Sequence, residues 1–510
     1  MESPKKTINR IKASVERWQG PARKDPDAVP IADAMRAYRE RDTLTFGIPA
    51  HSGGRGPAAE VTRWAGRDVV HFDLPMSHGV DTRHRSWQVQ STAQELFADA
   101  VGAKQTLFST NGSSMSVHVA IMSVAGPGDT LVMARNGHKS AFAGLVLSGA
   151  RPVYLEPVFD SELELAHPPT AGELGRALDS VTDARAVMVF TPSYYGTSAD
   201  VTALADIAHA QDLPLITDDA WGLDYALSGH PALPDGALAH GSDLAIGSVH
   251  KTLSGLSQTS VLSVGSDRID MERLTLCFEL EESTSASSLL LSSIDGARRQ
   301  FHREGRELLD RAVSSAALAR ERIAAEVPEL TVVDPERLGS PESVAAVDPT
   351  HLLIETAPIG LTGYQADDWL RDERQLDFEL VDHRRIMALV TFAHGEAEID
   401  RLVRGLRDLV DADIGTGDVP RLPDPPKLRA RQSMLPRDAF FAKAEMIDAE
   451  RSAGSISAEL VTPYPPGVPV LAPGEEITDA IVDYLQRIIE VGAFVEGAAD
   501  QSLNKLRVVA

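Results

Sequence analysis

The chain of 510 residues reads as an α/β protein built on a mostly parallel sheet with helices on both faces. Three observations predict this. Short β-branched runs alternate with helix-period stretches from about residue 30 to about 265. The runs are almost continuously apolar, as strands buried on both faces must be. Polar residues able to do chemistry fall just after the runs, at the strand ends where an open parallel sheet binds ligands.

Strands are expected at "QTLFS" (105–109), "DTLVMA" (129–134), "RPVYLE" (151–156), "ARAVMVF" (184–190), "LPLITD" (213–218) and "SDLAIGS" (242–248). Helical periodicity marks "SMSVHVAIMSVA" (114–125) and "VTALADIAHAQ" (201–211) between them. An N-terminal helix at about 5–18 and the loop "GPARKDPDAVP" (20–30) precede this body. Residues 267–327 are mainly helical, long enough to join a large domain to a smaller one. The expected division is an N-terminal helical segment (1–43), a large domain (44–330), a small α/β domain (331–414), a Pro- and Gly-rich linker (415–432) and a C-terminal domain (433–510). The last contains "TPYPPGVP" (462–469), whose adjacent prolines fix an extended brace.

Composition excludes several classes. A net charge of −25 argues against a nucleic-acid partner and for cationic or small neutral ones. No run approaches the ~18 to 20 apolar residues of a membrane span. The N-terminus has no apolar core of a secretory signal. The single cysteine, Cys277, rules out an intramolecular disulfide and a Cys-clustered zinc site, and no metal is expected. A cytoplasmic protein is the expectation.

The strand ends carry an ordered set of groups. "TNGSSMS" after 105–109 opens a helix, whose free N–H groups with Ser113 and Ser114 suit a phosphate, though Ser or Asn there serves equally as an N-cap. "RNGHKSAF" places His138 after the next run. Asp218 finishes "LPLITD", either as a cap or as a buried carboxylate facing a cation. "GSVHKTLSG" places Ser248, His250 and Lys251 after the last. A lysine at the mouth of a buried sheet is costly unless neutralised or used covalently, and a desolvated amine suits Schiff-base formation. A phosphate, an aldehyde for Lys251, a ring for His138 and a basic ring nitrogen for Asp218 together specify pyridoxal 5′-phosphate (PLP).

The motifs "FGIPAHSGGRG" (46–56), "STNGSS" (109–114), "ARNGHKSAFAGLVLSGARPVYLEP" (134–157), "TPSYYGTSAD" (191–200), "TDDAWG" (217–222), "SVHKTLSGLSQTS" (248–260), "STSASSLLLSSIDGARRQ" (283–300) and "GSISAELVTPYPPGVPVLAPGEEIT" (454–478) resemble the Orn/Lys/Arg decarboxylase family, group III of the PLP decarboxylases. The resemblance runs from about residue 30 to the C-terminus. It implies the aspartate-aminotransferase fold (fold type I), with a mostly parallel seven-stranded sheet and smaller C-terminal α/β domains, in a short form without an N-terminal wing domain. It further implies that Lys251 is the Schiff-base lysine, that His138 stacks on the pyridine ring, and that Asp218 pairs with its nitrogen. Ser113, Ser114, Ser248 and His250 would surround the phosphate, and Trp221 belongs to the cofactor site. Thr284 and Ser285 would reach the phosphate of a neighbouring subunit, so a homodimer with shared active sites is expected, or a tetramer.

The sequence departs from the family pattern at "PAHS" (49–52), which lacks the usual lysine, at "DDAWG" (218–222), and at "TSASS" (284–288), which lacks the usual proline and aromatic. These changes touch the substrate side. The implied reaction is decarboxylation of lysine, arginine or ornithine, with Lys251 or His250 returning a proton to the carbon that lost CO2. Glu475, Glu459 and Asp219 are the candidates to hold the substrate's distal cation. Transamination, elimination or oxidation of a basic amino acid, or silent PLP binding, are the alternatives. An aminotransferase would need an arginine for the α-carboxylate, for which Arg384 and Arg385 are available.

Overall fold

The computed structural model describes residues 25–41, 43–76, 80–81, 88–415, 417–425, 430–464 and 467–510; the helix expected at 5–18 lies outside them. Seven strands form the main sheet: β1 (Gln105–Ser109), β2 (Thr130–Ala134), β3 (Arg151–Leu155), β4 (Ala184–Phe190), β5 (Leu215–Asp218), β6 (Leu244–Ser248) and β7 (Ser260–Val264). Their spatial order is β1-β7-β6-β5-β4-β2-β3. All are parallel except β7, which lies antiparallel between β1 and β6.

Alternation of side chains sorts the strands into two cores. In β1, Leu107 faces the core under the helices Gly112–Val124 and Lys139–Ser148, while Phe108 faces the core made with Pro30–Glu40, Val89–Val101 and the start of Ser288–Glu326. Leu262 and Val261 of β7 divide the same way. Both faces are therefore apolar, which is why these strands lack a polar stripe.

The helix Ser288–Glu326 spans 39 residues and links the domains. Leu291, Ile294 and Phe301 pack in the large domain, and Ala316, Ala319 and Ile323 in the small one. The small domain is a four-stranded antiparallel sheet covered by the helices Gly363–Arg374 and Glu396–Asp411. The C-terminal region pairs Ala444–Asp448 with Lys505–Val509 and Thr462–Tyr464 with Phe494–Glu496, around the helix Asp479–Glu490. It is not an isolated appendage, because Ala472 is buried in the core of the main sheet.

Among the described residues no helix is long and apolar enough to cross a membrane, and no cluster of His, Cys, Asp or Glu could hold a metal ion.

Ile246 is fully buried in β6, one strand from the centre of the sheet. Ile246→Ala is expected to cost about 2–5 kcal/mol, seen as a lower urea midpoint. An unchanged midpoint would put Ile246 outside the cooperative core.

Candidate active site

A cavity of about 410 Å³ opens where β1, β2, β4, β5 and β6 end. Each strand contributes the residues that follow it: Asn111 to Ser114 after β1, Asn136 and His138 after β2, Pro192 to Tyr194 after β4, Asp218 at the end of β5, and His250 and Lys251 after β6. The convergence follows from the parallel topology, which puts the carboxyl ends on one edge.

Lys251 lies in the short helix Val249–Thr252, its Nζ 4.2 Å from the centre of the Trp221 ring. Burial pushes its pKa down; the charges of Asp218 and Glu379 oppose that without cancelling it. Asp218 keeps a little surface towards the cavity and is otherwise enclosed. Burial raises its pKa to about 6, against the pull of Lys251 and of the Ala220 N–H, which donates to it at 3.2 Å. The two shifts run in opposite directions, so both groups hold their charge less firmly than in water.

His138 caps the helix Lys139–Ser148 with its side chain: the Ser140 N–H donates to Nδ1 at 3.2 Å. Burial, then the charge of Lys251, lowers its pKa to about 4, so the ring is neutral at pH 7. A neutral imidazole with Nδ1 occupied offers its flat face rather than a charge. Gly137 lets the turn run close to β4, since an added Cβ would come within 2.3 Å of the Phe190 ring. His250 donates from Nδ1 to the Thr259 carbonyl at 3.0 Å, which leaves the lone pair of the neutral ring on Nε2.

The Ser113 and Ser248 hydroxyls lie 2.7 Å apart, beside the first turn of Gly112–Val124. Gly112 has φ +79°, and nothing lies within 4 Å of where its Cβ would be. The cavity also holds buried polar atoms without a protein partner, Asn136 Oδ1 and Trp221 Nε1. Hydroxyls and helical N–H groups, a flat neutral ring, an amine and a carboxylate, gathered in one cavity, form a donor set that fits PLP.

The Orn/Lys/Arg decarboxylase major-domain pattern matches residues 29–398, and the family's C-terminal-domain pattern matches residues 427–498. The chain belongs to this family. It is an amino-acid decarboxylase. The arginine decarboxylase of Bacillus anthracis is 34% identical over 94% of this chain and 97% of its own length. The constitutive lysine decarboxylase of Escherichia coli K12 is 24% identical over 92% of this chain and 78% of its own. The solved structure of a lysine decarboxylase from Francisella novicida superposes with a TM-score of 0.81 at 20% identity, covering 94% of this chain and 80% of that one; this likeness concerns the fold.

The decarboxylase fold brings Lys251, His138, Asp218, His250, Ser113, Ser114 and Trp221 to one cavity, with Ser248 directly behind. Thr284 and Ser285 are exposed and do not line it. The three acidic substrate candidates need correction. Glu475 is fully buried and forms a two-pronged ion pair with Arg135, so it has no free oxygen for a substrate cation. Glu459 accepts the Ala499 and Arg507 N–H groups, each at 2.7 Å, inside the C-terminal domain. Asp219 lines a second recess of about 280 Å³, because neighbouring residues at a strand end point to opposite sides.

Arg385 is likewise closed off, ion-paired with Asp382 at 3.3 Å and donating to the Leu163 carbonyl. Arg384 faces Glu164 at 3.8 Å. Among the described lining residues there is no arginine, and Asp218 is the only carboxylate. Sequence reasoning missed Asn136, Phe190, Tyr194 and Gln258 as lining residues. The strand-end rule applied to β4 points directly at "FTPSYY" (190–195).

The raised pKa of Asp218 has a measurable consequence in the cofactor-free protein. Its folded value of about 6 lies above the unfolded value of about 3.9, so the ionised carboxylate destabilises the fold. That cost is absent below about pH 4, grows as pH rises towards 6 and is complete above it. Asp218→Asn is therefore expected to stabilise the cofactor-free protein at pH 8 and to lose most of that advantage at pH 4. A difference in melting temperature independent of pH would contradict the assignment.

Proposed function

We propose that the chain is a PLP-dependent decarboxylase of a basic L-amino acid, with arginine the preferred substrate and the enzyme a homodimer with shared active sites. The observation that carries the reading is the cavity itself: it joins one lysine amine, one carboxylate and one neutral histidine ring, with no arginine in its described lining. Transamination calls for a cation clamping the α-carboxylate. Decarboxylation calls for the opposite, a carboxylate held where its charge is poorly stabilised. Phe190, Pro192, Tyr194 and Trp221 supply that apolar surrounding.

When bound, PLP supplies an aldehyde that condenses with primary amines and a ring that accepts the electron pair left by CO2. Lys251 is the only primary amine lining the cavity among the described residues, and burial keeps more of it uncharged and nucleophilic. Asp218, the one carboxylate in the described lining, can hold a proton on a basic ring nitrogen by a charge-assisted hydrogen bond. The neutral face of His138 stacks without adding charge. Ser113, Ser114 and Ser248, with the N–H groups of the first helical turn, receive the phosphate. The returning proton comes from Lys251 Nζ, or from His250 Nε2 once that nitrogen has taken up a proton.

Thr284 and Ser285 support the dimer. They are exposed, just after a helix that presents Leu276 and Leu280 to solvent at 61% and 76% exposure. A second copy covering this face is the arrangement in which the family resemblance has both hydroxyls reach a neighbouring subunit's phosphate. Arginine is preferred over lysine because the relative named for arginine is the more similar, 34% identical against 24%.

The experiment is CO2 release by the PLP-loaded protein with L-arginine, L-lysine and L-ornithine. Release from arginine with an equal amount of amine is expected, falling to background in Lys251→Ala. A keto acid in place of CO2 would replace decarboxylation with transamination. CO2 from lysine alone would keep the reaction and overturn the substrate.

A further inference from the structure

Both residues that flank the His138 turn are tied to the C-terminal domain. Arg135 directly follows β2 and is buried, as is Glu475. Arg135 Nη1 and Nη2 donate to the two Glu475 oxygens at 2.6 and 2.8 Å, and Nε donates to the Pro469 carbonyl at 2.8 Å. Every nitrogen of the guanidinium thus points into residues 469–475. The carboxylate is seated in turn, since Glu475 Oε2 also accepts the Ala472 N–H at 2.8 Å. On the far side of the turn, Lys139 Nζ meets Glu496 at 2.5 Å. Between these anchors Asn136 and His138 reach the cavity, and Gly137 presses against the Phe190 ring.

A buried ion pair is a poor device for stability alone. Desolvation takes back most of the Coulombic gain, and apolar side chains of the same volume often do as well. What a bidentate fork adds is a fixed orientation. Here the fork stands three residues before His138 in the chain.

We propose that the C-terminal domain positions the cofactor-stacking histidine: the Arg135–Glu475 pair, with Lys139–Glu496 as a second anchor, holds the turn 135–139 so that the His138 ring faces the cavity. Arg135 and Glu475 are positioning residues, and only the nature of what the ring stacks on rests on the PLP reading above. Glu475 then acts on the site through the protein rather than on substrate.

The test compares Glu475→Gln with the parent full-length protein by two readouts, the His138 ring signals in the cofactor-free NMR spectrum and the Kd for PLP. Ile488→Ala, in the separate core of the C-terminal domain, serves as a control that lowers stability without touching the junction. Glu475→Gln is expected to move the His138 signals and to weaken PLP binding about tenfold. Ile488→Ala is expected to lower the melting temperature and leave both readouts unchanged. A folded Glu475→Gln with unmoved signals and parental Kd overturns the proposal, as does an equal effect of Ile488→Ala.

Should Glu475→Gln not fold, Glu496→Gln at the exposed pair decides. A shift of the His138 signals at unchanged melting temperature supports the proposal, and unmoved signals overturn it. A parent protein that fails to bind PLP removes the PLP reading alone, because the NMR comparison stands without cofactor.

Discussion

The structure turns on an amine held where water is scarce. Lys251 sits at the edge of a sheet whose two faces are both apolar, over the Trp221 ring, with Asp218 as the only carboxylate lining its cavity among the described residues. Burial weakens the charge on the amine and on the carboxylate alike. An uncharged amine is a nucleophile, and a carboxylate that ionises readily only beside a cation is a selective partner for a protonated ring. The rest of the fold exists to keep these groups at that spacing, which is why they come from different strands of one parallel sheet rather than from one loop.

Parallel strands give that convergence, but each group still needs its own orientation. His138 gains it by capping the helix it precedes, and His250 by donating to the Thr259 carbonyl. The Ser113 and Ser248 hydroxyls hold each other across two strand ends. The β2 turn is held from further away, by a domain whose residues lie more than 300 positions on, since Arg135 and Glu475 are 340 apart in sequence. The C-terminal domain is thus part of the site's architecture, and Ala472 in the main core shows how deeply it is set.

Much of this was legible in the sequence. β1 and β4 fall on the expected residues, and the other four expected strands differ only by a residue or two at their ends. Reading the residues after each strand found an amine, a carboxylate and an imidazole that line one cavity, because the rule depends on topology and local order alone. The acidic substrate candidates went wrong for the complementary reason. Nothing local to "APGEEIT" shows that Glu475 meets an arginine from β2, and nothing in "DDAWG" shows which aspartate turns to which side. Such facts live in long-range packing and in the parity of a strand end. Whether a carboxylate is free is decided by what is folded against it.

The central claim is that Lys251, and no other amine, is the one the cavity offers to an aldehyde. The most direct test is to incubate the protein with PLP, reduce with borohydride and map the labelled peptide by mass spectrometry. The account predicts one phosphopyridoxyl group per chain, on Lys251 within "GSVHKTLSG". Labelling spread over surface lysines, or confined to a different lysine, would contradict it.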